Sequence, residues 1–133
     1  MQPSRRDEGA GGDDRGAAMV EFALVLPVLV TLLVAIIQFG SAYNTKLALQ
    51  AAAREGARAA ALGDDGVSAT QNAASPHDLD AADVDVTECP EPGEPLDDAD
   101  AEVVARKDFT FSIPFVDLGT VELSARGVMR CGV

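Results

Sequence analysis

Residues 17–39, with the sequence AAMVEFALVLPVLVTLLVAIIQF, form an apolar stretch that contains a single charged residue, Glu21. At about 1.5 Å rise per residue, roughly 20 residues of helix cross the hydrocarbon core of a membrane, so this stretch can span a bilayer once. A lone carboxylate in such a segment costs several kcal/mol unless it has a partner or lies near the interface. The sequence therefore predicts one membrane helix in which Glu21 requires a specific explanation.

The helical pattern continues beyond the apolar stretch. Residues 41–62, SAYNTKLALQAAAREGARAAAL, consist mainly of good helix formers, and Gly63 is typical of a residue that ends a helix. A helix from residue 17 to residue 62 is about 69 Å long, more than twice the thickness of the bilayer core. Its second half is therefore expected to project into water.

Two kinds of local feature are predicted along this helix. Pro27, which has no amide proton, and Gly40, near the membrane exit, favour bends. Small residues recur at a spacing of four at Ala52, Gly56 and Ala60, where another helix could approach closely. Alanine is also a common exposed helix former, so a plain solvated helix face is the alternative for this strip.

The acidic residues are unevenly distributed. The net charge is −12, residues 59–105 contain no Lys or Arg, and thirteen Asp and Glu residues lie between Asp64 and Glu102. This charge would repel nucleic acid, and without a spaced ligand pattern it favours a solvated surface over a calcium site. Residues 1–16 are rich in glycine and charge and predict a disordered leader.

The C-terminal part of the chain has the period of β-strands. Apolar and polar residues alternate over 84–89, 101–113 and 120–130, and short links favour antiparallel pairing. Gly127 suggests a bulge in the third strand. A three-stranded sheet has an open face, for which the alanine-rich outer half of the helix is the nearest cover. The predicted fold class is therefore α+β.

The two cysteines, Cys89 and Cys131, follow the first and third predicted strands. With His77 as the only histidine, a zinc site is not expected. A disulfide would join the beginning of the sheet to its end and contribute roughly 4 kcal/mol on the chain-entropy model. Two free buried thiols are the alternative.

Three interpretations of the N-terminal third remain open. It can be an uncleaved anchor with Glu21 near the interface, or a secretory signal peptide cleaved after Ala42. It can also be a prepilin-like signal cleaved between Gly16 and Ala17, which makes Glu21 the fifth residue of the mature chain. In that case the carboxylate can pair with the new amino group of a neighbouring subunit during assembly.

The stretch RGAAMVEFALVLPVLVTLLVAIIQFG, together with NTKLALQAAAREGARAAA, closely resembles the N-terminus of TadE-like proteins, the pseudopilins of tight-adherence (Tad/Flp) pilus systems. The positions that match the family pattern are Gly16, Glu21, Phe22, Pro27 and Gly40. The resemblance implies a minor pilin-like subunit that is cleaved by an aspartic prepilin peptidase. Its implied partners are that peptidase, other pilin or pseudopilin subunits, the pilus assembly platform and the membrane.

Other classes of function are weakly supported. The chain has no Ser/His/Asp set, no phosphate-binding glycine loop and no ligand cluster, so we expect no enzyme activity, cofactor, metal or small-molecule substrate. An anchored binding or sensor domain without proteolysis is the main alternative. Basic residues flank the span on both sides, so the distribution of positive charge does not decide the orientation. We expect the N-terminus in the cytoplasm because the family resemblance implies it, and the C-terminal domain outside because its cysteines suit an oxidising compartment.

The expected organisation has five parts. They are a leader at 1–16, a transmembrane helix at 17–40, its extramembrane continuation at 41–63, an acidic connector at 64–83 and a small antiparallel β domain at 84–133.

Overall fold

A long helix and a three-stranded antiparallel sheet make up most of the protein, as the sequence predicts. The computed structural model describes residues 13–91, 93–95, 98–113 and 116–132. Most of the predicted leader, residues 1–12, therefore lies outside the described residues. The elements in chain order are helix α1 (Asp13–Ala61), helix α2 (Gly66–Ala73), a short 3-10 helix (Ala81–Asp83) and strands β1 (Val84–Thr87), β2 (Asp100–Ile113) and β3 (Val116–Arg130).

Helix α1 is one continuous element of 49 residues. Its C-terminus has the hydrogen bonds of a Schellman motif, in which the Gly63 amide donates to Ala60 and the Asp64 amide donates to Ala59. Gly63 has a φ of +81°, a conformation that glycine adopts without steric cost. The predicted end of the helix is therefore explained by a specific backbone conformation.

Helix α2 lies within residues 64–83, the segment predicted as an acidic connector without regular structure. Asp65 caps its N-terminus, because the carboxylate accepts hydrogen bonds from the amides of Val67 and Ser68. Gly66 and Thr70 are buried and face α1. The connector thus contributes a packed helix to the fold.

The sheet has the strand order β1-β2-β3, and both pairs are antiparallel. One face packs on the outer half of α1 and forms the main core. The buried residues of this core are Leu49, Ala52, Ala53, Ala57, Ala74, Leu79, Val84, Val103, Ala105 and Ala125. The alanine-rich outer half of α1 therefore covers the open face of the sheet, as predicted.

The hairpin formed by β2 and β3 differs in detail from the prediction. β3 begins at Val116 rather than at residue 120, and the register shift lies between Thr110 and Ser112. The prediction of a bulge at Gly127 is wrong, since Gly127 pairs in regular register with Val103. Its role is instead to let β3 approach α1 closely, because a Cβ there would lie 2.2 Å from the carbonyl oxygen of Ala53.

Candidate functional site

The N-terminal half of α1 exposes its apolar side chains. The described residues contain one helix long and apolar enough to cross a membrane, and its most apolar window has a mean hydropathy of 2.8 with no residue buried. From Leu24 to Phe39 the large side chains are exposed with few exceptions, whereas the first buried residue of the helix is Ala42. The apolar half therefore makes almost no contact with its own domain and is free to bury itself elsewhere.

The predicted cleavage junction lies within the first turns of this helix. Because α1 begins at Asp13, both Gly16 and Ala17 have helical backbone, and both are exposed. Among the described residues, no atom lies within 4 Å of a Cβ built at Gly16. The fold of this chain therefore places no steric demand for glycine at this position.

Glu21 lies on the exposed surface of the apolar half, in a shallow depression formed with Ala18, Phe22 and Val25. Across the described ranges, every ion pair joins residues of the sheet domain and none includes Glu21. Its carboxylate is one turn of helix from Ala17. Neighbouring molecules could therefore reach this carboxylate without rearrangement of the domain.

The two predicted bend positions leave α1 unbroken. The helix runs through Pro27, and the hydroxyl of Thr31 donates a 2.8 Å hydrogen bond to the Pro27 carbonyl oxygen. Gly40 is exposed and has no atom within 4 Å of a Cβ built on it. The membrane-length half and the domain-binding half are thus parts of a single continuous helix.

The strip of small residues at Ala52, Gly56 and Ala60 is buried. A Cβ at Gly56 would lie 1.9 Å from the hydroxyl oxygen of Thr70 and 2.9 Å from the carbonyl oxygen of Gly66. The element that approaches the strip there is therefore α2 of the same chain.

The close approach of Gly127 to Ala53, on the neighbouring face of α1, is not among the features predicted from the sequence. The sequence pattern that could have predicted this contact is Gly127 itself, because a glycine within an alternating strand marks either a bulge or a close backbone approach.

Cys89 and Cys131 form a disulfide with a Cα–Cα distance of 5.8 Å. Cys131 packs with Ala60 and Ala101 in a second small cluster at the C-terminal end of α1. The bond links the segments that follow β1 and β3, which are the two edge strands of the sheet. It therefore closes the domain at the end farthest from the apolar half of the helix.

The outward face of the sheet is polar and carries ion pairs. Arg106 bonds the carboxylate of Asp85 across the β1–β2 pair, and Arg126 bonds Glu102 across the β2–β3 pair at 2.6 Å. The side-chain hydrogen bond and charge of Asp85 raise the pKa of Arg106. These exposed pairs are worth little in stability individually, but they mark this face as solvated.

The pKa of Asp65 is lowered from its ordinary value by the side-chain hydrogen bond from Ser68, and then by the Ser68 and Val67 amides. The carboxylate that caps α2 is therefore held in its charged form near neutral pH.

These features define a class of protein, in which one exposed apolar helix of membrane-spanning length continues into a small disulfide-linked α+β domain. Within that class, the family model described as TadE-like protein matches residues 16–58. The match confirms the resemblance over this segment, which is about a third of the chain, and indicates involvement in Tad pilus systems. No curated protein and no solved structure was found to match the chain.

Proposed function

We propose that the protein is a minor, pseudopilin-like membrane subunit required for assembly of an adhesive pilus of the Tad/Flp type. The observation that carries this proposal is that the TadE-like match, residues 16–58, falls on α1, whose apolar half is unburied. A helix that packs almost none of this surface on its own domain must place the rest in lipid or against neighbouring helices. A subunit that moves between a membrane and a fibre needs such a helix.

Cleavage by a prepilin peptidase between Gly16 and Ala17 completes this role. The cut creates an α-amino group at the first residue of the mature helix. When subunits assemble, that amine can pair with the Glu21 carboxylate of a neighbour and offset the cost of a charge in an apolar environment. The exposure of Glu21 supports this role, because no described residue of the sheet domain covers it.

The proposed location is the cytoplasmic membrane, crossed once with the N-terminus inside and the sheet domain outside. The disulfide between Cys89 and Cys131 supports this orientation, because such bonds persist in oxidising compartments. The proposed partners are the prepilin peptidase, other pilin or pseudopilin subunits and the pilus assembly platform. We assign the protein a structural role rather than an enzymatic one.

N-terminal sequencing of the protein from piliated cells tests the proposal. A mature chain that begins at Ala17 is expected. A start at Tyr43 would indicate a secreted domain, and an intact leader would indicate an uncleaved anchor. A bulky substitution, Gly16→Leu, should block cleavage without disturbing the domain, because the space around a Cβ at this position is open.

The assembly role of Glu21 is tested separately. We expect Glu21→Ala to be processed normally but to abolish piliation. Glu55→Ala is the matched control, since Glu55 is an exposed carboxylate in the aqueous half of the same helix. Normal piliation with Glu21→Ala, or equal loss with Glu55→Ala, would contradict the pairing of Glu21 with a neighbouring amine.

A further inference from the structure

The far end of the β2–β3 hairpin lies beside the last part of the apolar half of α1. The side-chain amide of Gln38 donates a 2.7 Å hydrogen bond to the carbonyl oxygen of Ser112. The rings of Phe39 and Phe111 are in contact, with centroids 5.4 Å apart. These two contacts fix the level of the hairpin tip along the helix axis.

The lengths of the two elements agree with this placement. Ala60 and Ala101 share a cluster at one end, and Gln38 meets Ser112 at the other. Between these points the helix rises about 33 Å and the strand advances about 36 Å. β2 therefore runs alongside α1 toward the apolar half for its whole length.

The membrane boundary falls at the same level. A hydrocarbon core of about 30 Å centred on residues 17–39 reaches roughly to Gln38. Strand β2 ends one residue beyond Ser112, at Ile113, which pairs with Val116, the first residue of the return strand. The hairpin tip thus reaches the zone where headgroups meet acyl chains.

The surface of the tip is apolar. Val116 and Leu118 are 50% and 54% exposed, and no part of the described chain covers them. The charge at the tip belongs to Asp117, whose carboxylate already accepts a hydrogen bond from the Gly119 amide at 2.8 Å. This contrasts with the ion pairs that cover the outward face higher on the same hairpin.

We propose that this tip is a second membrane contact, in which Val116 and Leu118 enter the lipid interface next to the exit of α1. Lipid is the occupant that the geometry favours, because the exposed apolar tip lies on the hairpin whose Phe111 contacts Phe39, itself an exposed residue of the apolar half of α1. Interfacial elements bury apolar side chains to a depth of about 5–10 Å, and side chains that lie near the level of Gln38 are within that depth of the edge of the hydrocarbon core. The contact fixes the tilt of the domain on the membrane, and it rests on the proposed membrane anchoring of α1.

The absence of tryptophan from the sequence allows a direct test. Leu118→Trp places a single reporter at the tip, and Val128→Trp places one at the other end of β3, at a residue that is 48% exposed. Each full-length variant is reconstituted in phosphatidylcholine vesicles with ordinary or brominated acyl chains. We expect blue-shifted emission and quenching by brominated lipid for Leu118→Trp, and neither for Val128→Trp.

The possible failures are distinguishable. If the chain is extracted from the vesicles by alkaline carbonate, membrane anchoring itself is wrong. If the chain stays anchored but Leu118→Trp is not quenched more than Val128→Trp, the tip contact is wrong. Blue-shifted but unquenched emission would indicate cover by protein and would also overturn the proposal. Retention of the disulfide verifies folding, and Val116→Trp serves as the second reporter if Leu118→Trp does not fold.

Discussion

Gly127→Ala is the substitution whose effect follows most directly from the geometry of the domain. A Cβ at residue 127 would lie 2.2 Å from the carbonyl oxygen of Ala53, 2.4 Å from its carbonyl carbon and 2.7 Å from the amide nitrogen of Arg54. All three atoms belong to the backbone of α1, so no side-chain rotation relieves the overlap. Helix and strand must separate to accept one methyl group.

The size of the effect can be worked from the required displacement. Non-bonded carbon atoms lie about 3.5 Å or more apart, so the new Cβ and the Ala53 carbonyl carbon, 2.4 Å apart, must separate by about 1.1 Å. A radial gap of about 0.5–1 Å already loses a quarter to a half of the dispersion energy across an interface. Overpacking by extra methyl groups typically costs about 1–3 kcal/mol, and here the relief affects the whole helix–sheet core. The gain of about 0.5–1 kcal/mol from replacing a strand glycine with alanine offsets only part of this. Because the whole core is affected, we place the overpacking cost at the upper end of its range and expect a net loss of about 2 kcal/mol.

Pulse proteolysis of the full chain in detergent micelles measures this loss. Trypsin cleaves after residues such as Arg106 and Lys107, which the folded sheet holds within β2. With an m-value of about 2 kcal/mol/M, the expected loss lowers the urea midpoint by about 1 M. Gly40→Ala is the control, because its Cβ meets no atom within 4 Å. A Gly127→Ala midpoint equal to that of the control would refute the close approach of α1 and β3.

Three further predictions use urea unfolding and pulse proteolysis of the same micellar protein, with pepsin in place of trypsin for the measurements in acid. Gly56→Ala should destabilise the domain by roughly 1–3 kcal/mol, because its Cβ would lie 1.9 Å from the Thr70 hydroxyl oxygen. Adding Thr70→Ala should recover part of this loss, and fully additive losses would contradict the contact. Reduction of the bond between Cys89 and Cys131 should destabilise the domain by up to about 4 kcal/mol, whereas reductant should not move the midpoint of a chain with both cysteines replaced by alanine. Because the pKa of Asp65 is lowered in the folded protein, its stabilising effect is complete above the ordinary pKa of 3.8 and is lost as the pH falls through the folded pKa. The difference in unfolding free energy between the protein and Asp65→Asn should therefore shrink in acid. A difference that does not change with pH would contradict the charged cap.

The features that sequence predicted well are those with a local signal. The long helix follows from composition, its end follows from Gly63, and the strands follow from an alternation of period two. The two cysteines predicted to pair are bonded, because the strand order places the ends of β1 and β3 on the same side of the sheet.

The features that sequence missed depend on tertiary contact. Helix α2 has eight residues, too few for a helix that is stable by itself, and it persists because Gly66 and Thr70 pack against Gly56. The sequence around Gly127 is equally compatible with a bulge and with close packing against another element. The position of Ala53 in the folded protein distinguishes the two. The level of the hairpin tip likewise requires the helix and the sheet together.

One continuous helix carries two kinds of side chain, and this division links the domain to the membrane. Up to Phe39 the exposed residues are large and suit contact with lipid or neighbouring helices, whereas from Ala42 the buried residues are mostly alanine and allow the sheet to reach the helix backbone. Larger side chains at positions such as Ala53 or Ala57 would hold the sheet farther from the helix axis. The hairpin tip would then move away from Phe39, about 20 Å along the helix from those alanines. The small residues of the aqueous half therefore determine how closely the domain can lie against the membrane that the other half is proposed to cross.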